Sequence, residues 1–388
     1  MIDDFIFSDP KNVPSIYSHI SDYFSKVYDQ HFSPLYNIFN VSIFHFFDQP
    51  NSLYLINLAL FYSNCLLIFY FIYQISRNST LAILTSSFFC IHPMSGEIVQ
   101  HITENNILMS ADLMLLGLMA FYKYQLQNNK LYYYFSILLL IPALMLQELF
   151  SMLYVFYVIS LSMIWTKNSF GRTFKICIPY ILIEFVYFIL WCIFAGHRVY
   201  LIENIHRYNL NPWYFCANYF YLMLWYLSNL FVPKNIVLLY NTYPISAHIW
   251  FWNTCFLLFL SGLLVFIFYF KKSIECFAIV LFFLGFIIGI PGFATHPEMG
   301  FIFEPYWLYF SSIGFYLFIA IILLKIRDNI NRWIFVVLIP VMFMFYFINT
   351  EKMNIISRTQ LSYCENWLRL SPGNTMAEYI LSSEYVEK

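Results

Sequence analysis

Ile91-His92-Pro93-Met94-Ser95-Gly96-Glu97-Ile98-Val99-Gln100-His101-Ile102-Thr103-Glu104 lies between two apolar runs, 80–91 and 106–124. Two histidines, two glutamates and a proline crowd a short reversal of the chain. Lipid contact gives no reason for polar groups at that density, whereas a water-facing site at a membrane edge does. An ordinary polar turn between two helices is the other reading of the same residues.

Composition sets the setting. The chain has 388 residues, 61% hydrophobic, 22% aromatic and only 11% charged. Soluble domains carry about 25% charged residues, so this is an integral membrane protein. A formal net charge of −1 gives nucleic acid nothing to bind. The eight cysteines, 65, 90, 177, 192, 216, 255, 276 and 364, form no C-x-x-C pair and sit mostly in apolar spans. They read as small hydrophobes, not as metal ligands or a disulfide framework. Met1-Ile2-Asp3-Asp4 has no basic n-region, so no cleavable signal peptide is expected.

Residues 1–52 are acidic and amphipathic, interrupted by Pro10, Pro14, Pro34 and Pro50, and read as a loop on the membrane surface. Spans of about 20 apolar residues follow at 53–74, 106–124, 149–166, 174–195, 250–270, 274–292, 303–324 and 333–349, with shorter ones at 80–93 and 132–147. Residues 212–232 form a further apolar, very aromatic stretch. Charge decides whether it crosses. If it lies flat on the outer surface, the short inner loops hold Arg77; Lys123 and Lys130; Lys167, Arg172 and Lys175; Lys271 and Lys272; and Lys325, Arg327 and Arg332. These are eleven of the 20 basic residues, and the short outer turns hold none. A crossing at 212–232 would move Lys271, Lys272 and the Lys325–Arg332 cluster outside. The expectation is therefore an all-α polytopic bundle of about ten spans over 53–349. Residues 196–249 form one outer segment with an interfacial helix, and both termini lie outside. The tail, 350–388, is polar and helix-forming. Its Leu370-Ser371-Pro372-Gly373-Asn374-Thr375-Met376-Ala377 looks like a helical-repeat junction.

Four stretches, in this order, resemble the multi-spanning GT-C glycosyltransferases. The likeness is closest to the TMTC-like and bacterial branch that carries tetratricopeptide repeats after the membrane region. Ile91-His92-Pro93…Glu97…Ile102, followed by Asn106-Ile107-Leu108…Leu115-Leu116, is similar to a pattern between that family's third and fourth spans. Leu144-Met145-Leu146-Gln147-Glu148 resembles a stretch where the family usually has Lys-Glu. Glu304-Pro305-Tyr306-Trp307-Leu308-Tyr309-Phe310-Ser311-Ser312-Ile313-Gly314-Phe315 resembles a third, and the repeat-like tail is the fourth. Asp3-Asp4 resembles the acidic pair opening the first outer loop, one carboxylate of which acts as base. In the family a transmembrane helix precedes that pair; this sequence starts at Met1, two residues before it, so the expectation is a bundle without that helix.

The resemblance implies transfer of a sugar from a polyprenyl-phosphate donor to a protein or glycan hydroxyl on the extracytoplasmic face. That face would be the periplasmic side of a bacterial inner membrane or, alternatively, the lumenal side of the endoplasmic reticulum. Such transfer needs a carboxylate to take the acceptor proton and cations or hydrogen-bond donors for the departing lipid phosphate. Asp4, or Asp3 beside it, fills the first role. Arg198 and Arg207, flanked by His197 and His206, fill the second unless they only touch lipid head groups. His92, Glu97, His101, Glu104, Glu148, His296 and Glu304 are candidate substrate-binding residues at the outer turns. Duller roles stay open: His92 before Pro93 could end a helix with its ring on a backbone carbonyl, and Glu148 could cap or pack. No metal and no cofactor is expected, although His92, Glu97 and His101 look superficially like a ligand set. The other function class is a non-catalytic membrane scaffold that docks partners through its helical tail.

Overall fold

The computed structural model describes residues 32–46, 50–101, 104–165, 170–194, 212–234, 236–237, 240–242, 248–269, 273–288, 301–329 and 332–386. Within them the chain is helical, apart from one short antiparallel ribbon. β1 (Tyr240–Thr242) pairs there with β2 (Phe301–Phe303), Tyr240 opposite Phe303.

The helices are α1 (Pro34–Phe46), α2 (Pro50–Ser76), α3 (Ser79–Ile91), α4 (Pro93–Gln100), α5 (Asn105–Gln127) and α6 (Lys130–Leu146). Next come α7 (Glu148–Ser151), α8 (Tyr154–Trp165), α9 (Phe170–Phe194), α10 (Pro212–Phe231), α11 (Ile249–Tyr269) and α12 (Ile274–Gly285). The chain ends with α13 (Ser312–Asn329), α14 (Arg332–Ile356), α15 (Gln360–Leu370) and α16 (Thr375–Val386).

Local chemistry sets the reversals. Arg77 takes a left-handed φ of 55° and Asn78 then caps α3, its side chain accepting from Leu81 N at 3.0 Å. Asn128, φ 53°, and Asn129, which accepts from Leu131 N at 2.9 Å, turn α5 into α6 in the same way. Ser273 caps α12 at Cys276 N.

Contacts along the helices show their directions. Asn57 donates to His101 O, Asn64 to Leu108 O and Gln74 to Met119 O, so α2 and α5 run parallel. Between them α3 returns. The Lys325–Glu275 ion pair at 2.8 Å and the contact of Gly314 with Ala278 set α12 and α13 antiparallel. Residues 91–101 mark one end of the bundle, the polar end.

Five described helices are long and apolar enough to cross a membrane: Tyr54–Ser76, Asn105–Gln127, Gly171–Phe194, Ile249–Ile267 and Arg332–Ile356. Four more are apolar but shorter: Ser79–Ile91, Lys130–Leu146, Tyr154–Met163 and Ile274–Gly285. The flanks carry Leu257, Leu258, Leu264 and Val265 of α11 and Val336, Val337, Val341 and Met344 of α14, all exposed. An apolar band of that extent suits hydrocarbon rather than water.

Three boundaries differ from the sequence expectation. The 303–324 span becomes strand, a 3-10 turn over Pro305–Leu308 and then α13 from Ser312. The 149–166 span is broken at residues 152–153 between α7 and α8. The last span does not stop at 349, because α14 continues to Ile356.

Candidate functional site

The site begins with a proline. Pro93 has no N–H, so α3 must stop before it, and His92 adopts the extended pre-proline conformation, φ −74°, ψ 131°. His92 closes one helix and opens the next. Its backbone N–H donates to Phe88 O at 3.1 Å, and its Nδ1 accepts from Met94 N at 3.2 Å. Its Nε2 donates to Leu230 O, 3.0 Å away at the C-terminal end of α10. One ring nitrogen accepts and the other donates, which is the neutral imidazole in its Nε2–H tautomer. The ring lies against Tyr346 and Tyr316, centroids 4.6 and 5.4 Å away.

Buried with both nitrogens engaged, His92 ends α3 with its ring on a backbone carbonyl and pins α10 to the bundle. Replacing it with alanine leaves Leu230 O without one of its donors and α4 without its cap. The expected loss is about 2–4 kcal/mol of stability, read as a lower midpoint of thermal unfolding in detergent.

One turn on, α4 turns Glu97 toward the tail. Glu97 is 4% exposed and accepts a hydrogen bond from Tyr363 Oη of α15 at 3.2 Å. His101 Nε2 lies 4.0 Å from the same carboxylate oxygen, and its ring meets the Tyr363 ring edge-on. The His101 carbonyl accepts from Asn57 Nδ2 of α2 at 2.8 Å. Gln100 Nε2 donates to Asn354 Oδ1 of α14 at 3.0 Å. Glu104 stands at the start of α5. Because both His92 nitrogens are taken by backbone groups, His92 does not join Glu97 and His101 in a ligand set. No cluster of three or more metal-binding side chains occurs among the described residues.

Glu148 opens α7 and is 3% exposed; it accepts from Ser33 Oγ at 3.0 Å. Tyr187 of α9 donates to Phe32 O beside it. Another acid, Glu184 of α9, accepts from Val155 N at 3.1 Å and so satisfies an open N–H in the first turn of α8. Glu304 precedes the Pro305–Leu308 turn and accepts from Tyr306 Oη. That turn packs against both α4 and α7. Ser95 Oγ also hydrogen-bonds Tyr316 Oη of α13 at 3.2 Å. The 93–100, 148–151 and 305–308 stretches, far apart in sequence, therefore meet at one end of the bundle.

The chain matches no family model, no curated protein and no solved structure.

Of the sequence candidates, His92, Glu97, His101, Glu104, Glu148 and Glu304 lie at the polar end described above. Asp3, Asp4, Arg198, Arg207 and His296 lie outside the described residues. Sequence reasoning missed three residues in these contacts: Asn57 and Tyr363 at the polar end, and Glu184 within the α9 span. Glu184 carried a signal, an acid inside an apolar span, which must find a partner. Asn57 and Tyr363 carried none, because an asparagine in a span and a tyrosine in a polar tail are unremarkable until the turn they meet is known.

Proposed function

We propose that the protein is a membrane glycosyltransferase of the GT-C kind. It would move a sugar from a polyprenyl-phosphate donor to a protein or glycan hydroxyl on the extracytoplasmic face. The observation that carries this reading is the packing of the Pro305–Leu308 turn against both α4 and α7. Three stretches that separately resemble the family's motifs thus gather at one end of a helical bundle whose flanks are apolar.

In the same reading ten helices cross the membrane and both termini lie outside, periplasmic in a bacterial inner membrane or lumenal in the endoplasmic reticulum. α10 does not cross. Both ends of α10 support this: Trp213 O accepts from Asn253 near the start of α11, and Leu230 O accepts from His92 and Tyr346. Engineered cysteines within 234–248 are expected to react with an impermeant label from outside only. Labelling from the cytoplasm alone contradicts the topology.

Arg198 and Arg207 hold the lipid phosphate in this reading, Asp4 or Asp3 is the base, and Glu97, His101, Glu104, Glu148, His296 and Glu304 face substrate. The test is equilibrium binding of a polyprenyl phosphate to the purified protein. Arg198→Ala and Arg207→Ala should each weaken it by about 1.5–3 kcal/mol, the worth of a charged hydrogen bond. Absence of saturable binding ends the transferase reading.

One observation favours the scaffold alternative. Glu97 and Glu148 are buried and already hydrogen-bonded to Tyr363 and Ser33. In a scaffold these carboxylates would hold the tail and α1 in place and do no chemistry.

A further inference from the structure

Glu97 and His101 lie under α15 rather than open to water, and the contacts there are unusual in kind. Tyr363 Oη donates to Glu97 Oε1 at 3.2 Å, and the Tyr363 ring stands edge-on to the His101 imidazole, centroids 6.1 Å apart. His101 is 6% exposed, and its Nε2, 4.0 Å from Glu97 Oε1, is buried without a hydrogen-bond partner among the described residues. Asn57 is fully buried; its Nδ2 serves the His101 carbonyl, while its Oδ1 also has no partner among those residues. Buried polar atoms left without partners are few in folded proteins, and two on neighbouring side chains call for a physical reason.

The groups gathered here are a carboxylate, an amide oxygen and a ring nitrogen. Hydroxyl groups donate to the first two and exchange hydrogen bonds with the third. We propose that Glu97, His101 and Asn57 form a binding subsite for a sugar ring, which Tyr363 fills from the tail in the closed state. The phenol hydroxyl then stands where a sugar hydroxyl would donate. Residues 357–359 form the turn between α14 and α15, and rotation there would lift Tyr363 together with the rest of α15. Sugar and tail compete for one place. The choice of a sugar as the hydroxylated ligand rests on the transferase reading; the competition does not.

Soluble methyl glycosides of mannose, glucose and N-acetylglucosamine serve as probes, with the full-length protein in detergent. Binding is followed by ligand-observed NMR and the tail by amide hydrogen exchange. Tyr363→Phe keeps the ring and removes only the competing hydroxyl. It should tighten binding of at least one glycoside by about fivefold, one hydrogen bond's worth. Wild-type protein holding that glycoside should exchange its 360–370 amides faster than the free protein. Glu97→Gln, which preserves side-chain shape, should lose the binding.

Failure of every glycoside to bind either the wild type or Tyr363→Phe overturns the subsite. Equal affinity in the two proteins also overturns it. Transfer from a polyprenyl-phosphate sugar combined with glycoside binding indifferent to Tyr363 leaves the transferase reading standing and removes this one. Glycoside binding that depends on Tyr363 in a protein that transfers nothing has the opposite meaning.

Discussion

On the proposed transferase reading, changing Asp3 and Asp4 together to asparagine should lower sugar transfer by a factor of about 10²–10⁴, the usual worth of a general base, and leave folding nearly unchanged. The acceptor hydroxyl must give up its proton as it attacks the anomeric carbon, and an amide of the same size cannot take it. Three of the described carboxylates at the polar end are poorly placed to substitute. Glu97 and Glu148 are 4% and 3% exposed and already accept hydrogen bonds from Tyr363 and Ser33. Glu304 accepts one from Tyr306. Surface substitutions away from special features move stability by no more than about 0.5 kcal/mol. Loss of transfer with an unaltered thermal midpoint is therefore the expected pair of results.

Gly314→Leu should have the largest effect on the fold. α12 and α13 approach so closely at Gly314 that a Cβ there would lie 2.4 Å from Ala278 O and 2.6 Å from Phe282 N. Both are backbone atoms, so neither can swing aside as a side chain could. Small residues allow this kind of approach between helices in a membrane. Overpacking ordinarily costs about 1–3 kcal/mol, and a leucine against two backbones belongs at or above the top of that range. The damage would spread to the site, since α13 carries Tyr316, which meets Ser95 and the His92 ring. Gly262, with nothing within 4 Å of its Cβ position, is the control. Gly262→Ala should leave the yield of monodisperse protein unchanged while Gly314→Leu abolishes it.

Much of the helix plan was legible because it rests on local rules. Apolar runs ended where Asn78, Asn129 and Ser273 cap the next helix, and each cap is a single residue readable in isolation. The misplaced boundaries come from partners distant in sequence. Glu304-Pro305-Tyr306-Trp307-Leu308 is apolar enough to count as part of a span, yet the chain just before it is held extended by pairing of 301–303 with 240–242. The break between α7 and α8 has no proline or glycine to announce it. An open N–H on its far side is met by Glu184, twenty-nine residues from Val155.

At the site, the polar turn and its two acids were visible as a density of charge between apolar runs. What each side chain does was not. The same His92-Pro93 pair suits a ligand-binding histidine or a capping one, and only the carbonyl of Leu230, 138 residues away, separates the two. Glu97 likewise reads as a surface acid until Tyr363 is found above it.

Sugar transfer itself is the most direct measurement. Purified protein reconstituted in proteoliposomes would receive labelled polyprenyl-phosphate hexoses and N-acetylhexosamines, with peptide and glycan acceptors offered on the face that carries the 91–104 turn. Label on an acceptor with the wild type, and its loss with the Asp3/Asp4 double asparagine variant, is the expected result. No transfer from any donor by folded protein, or transfer undiminished in the double variant, contradicts it.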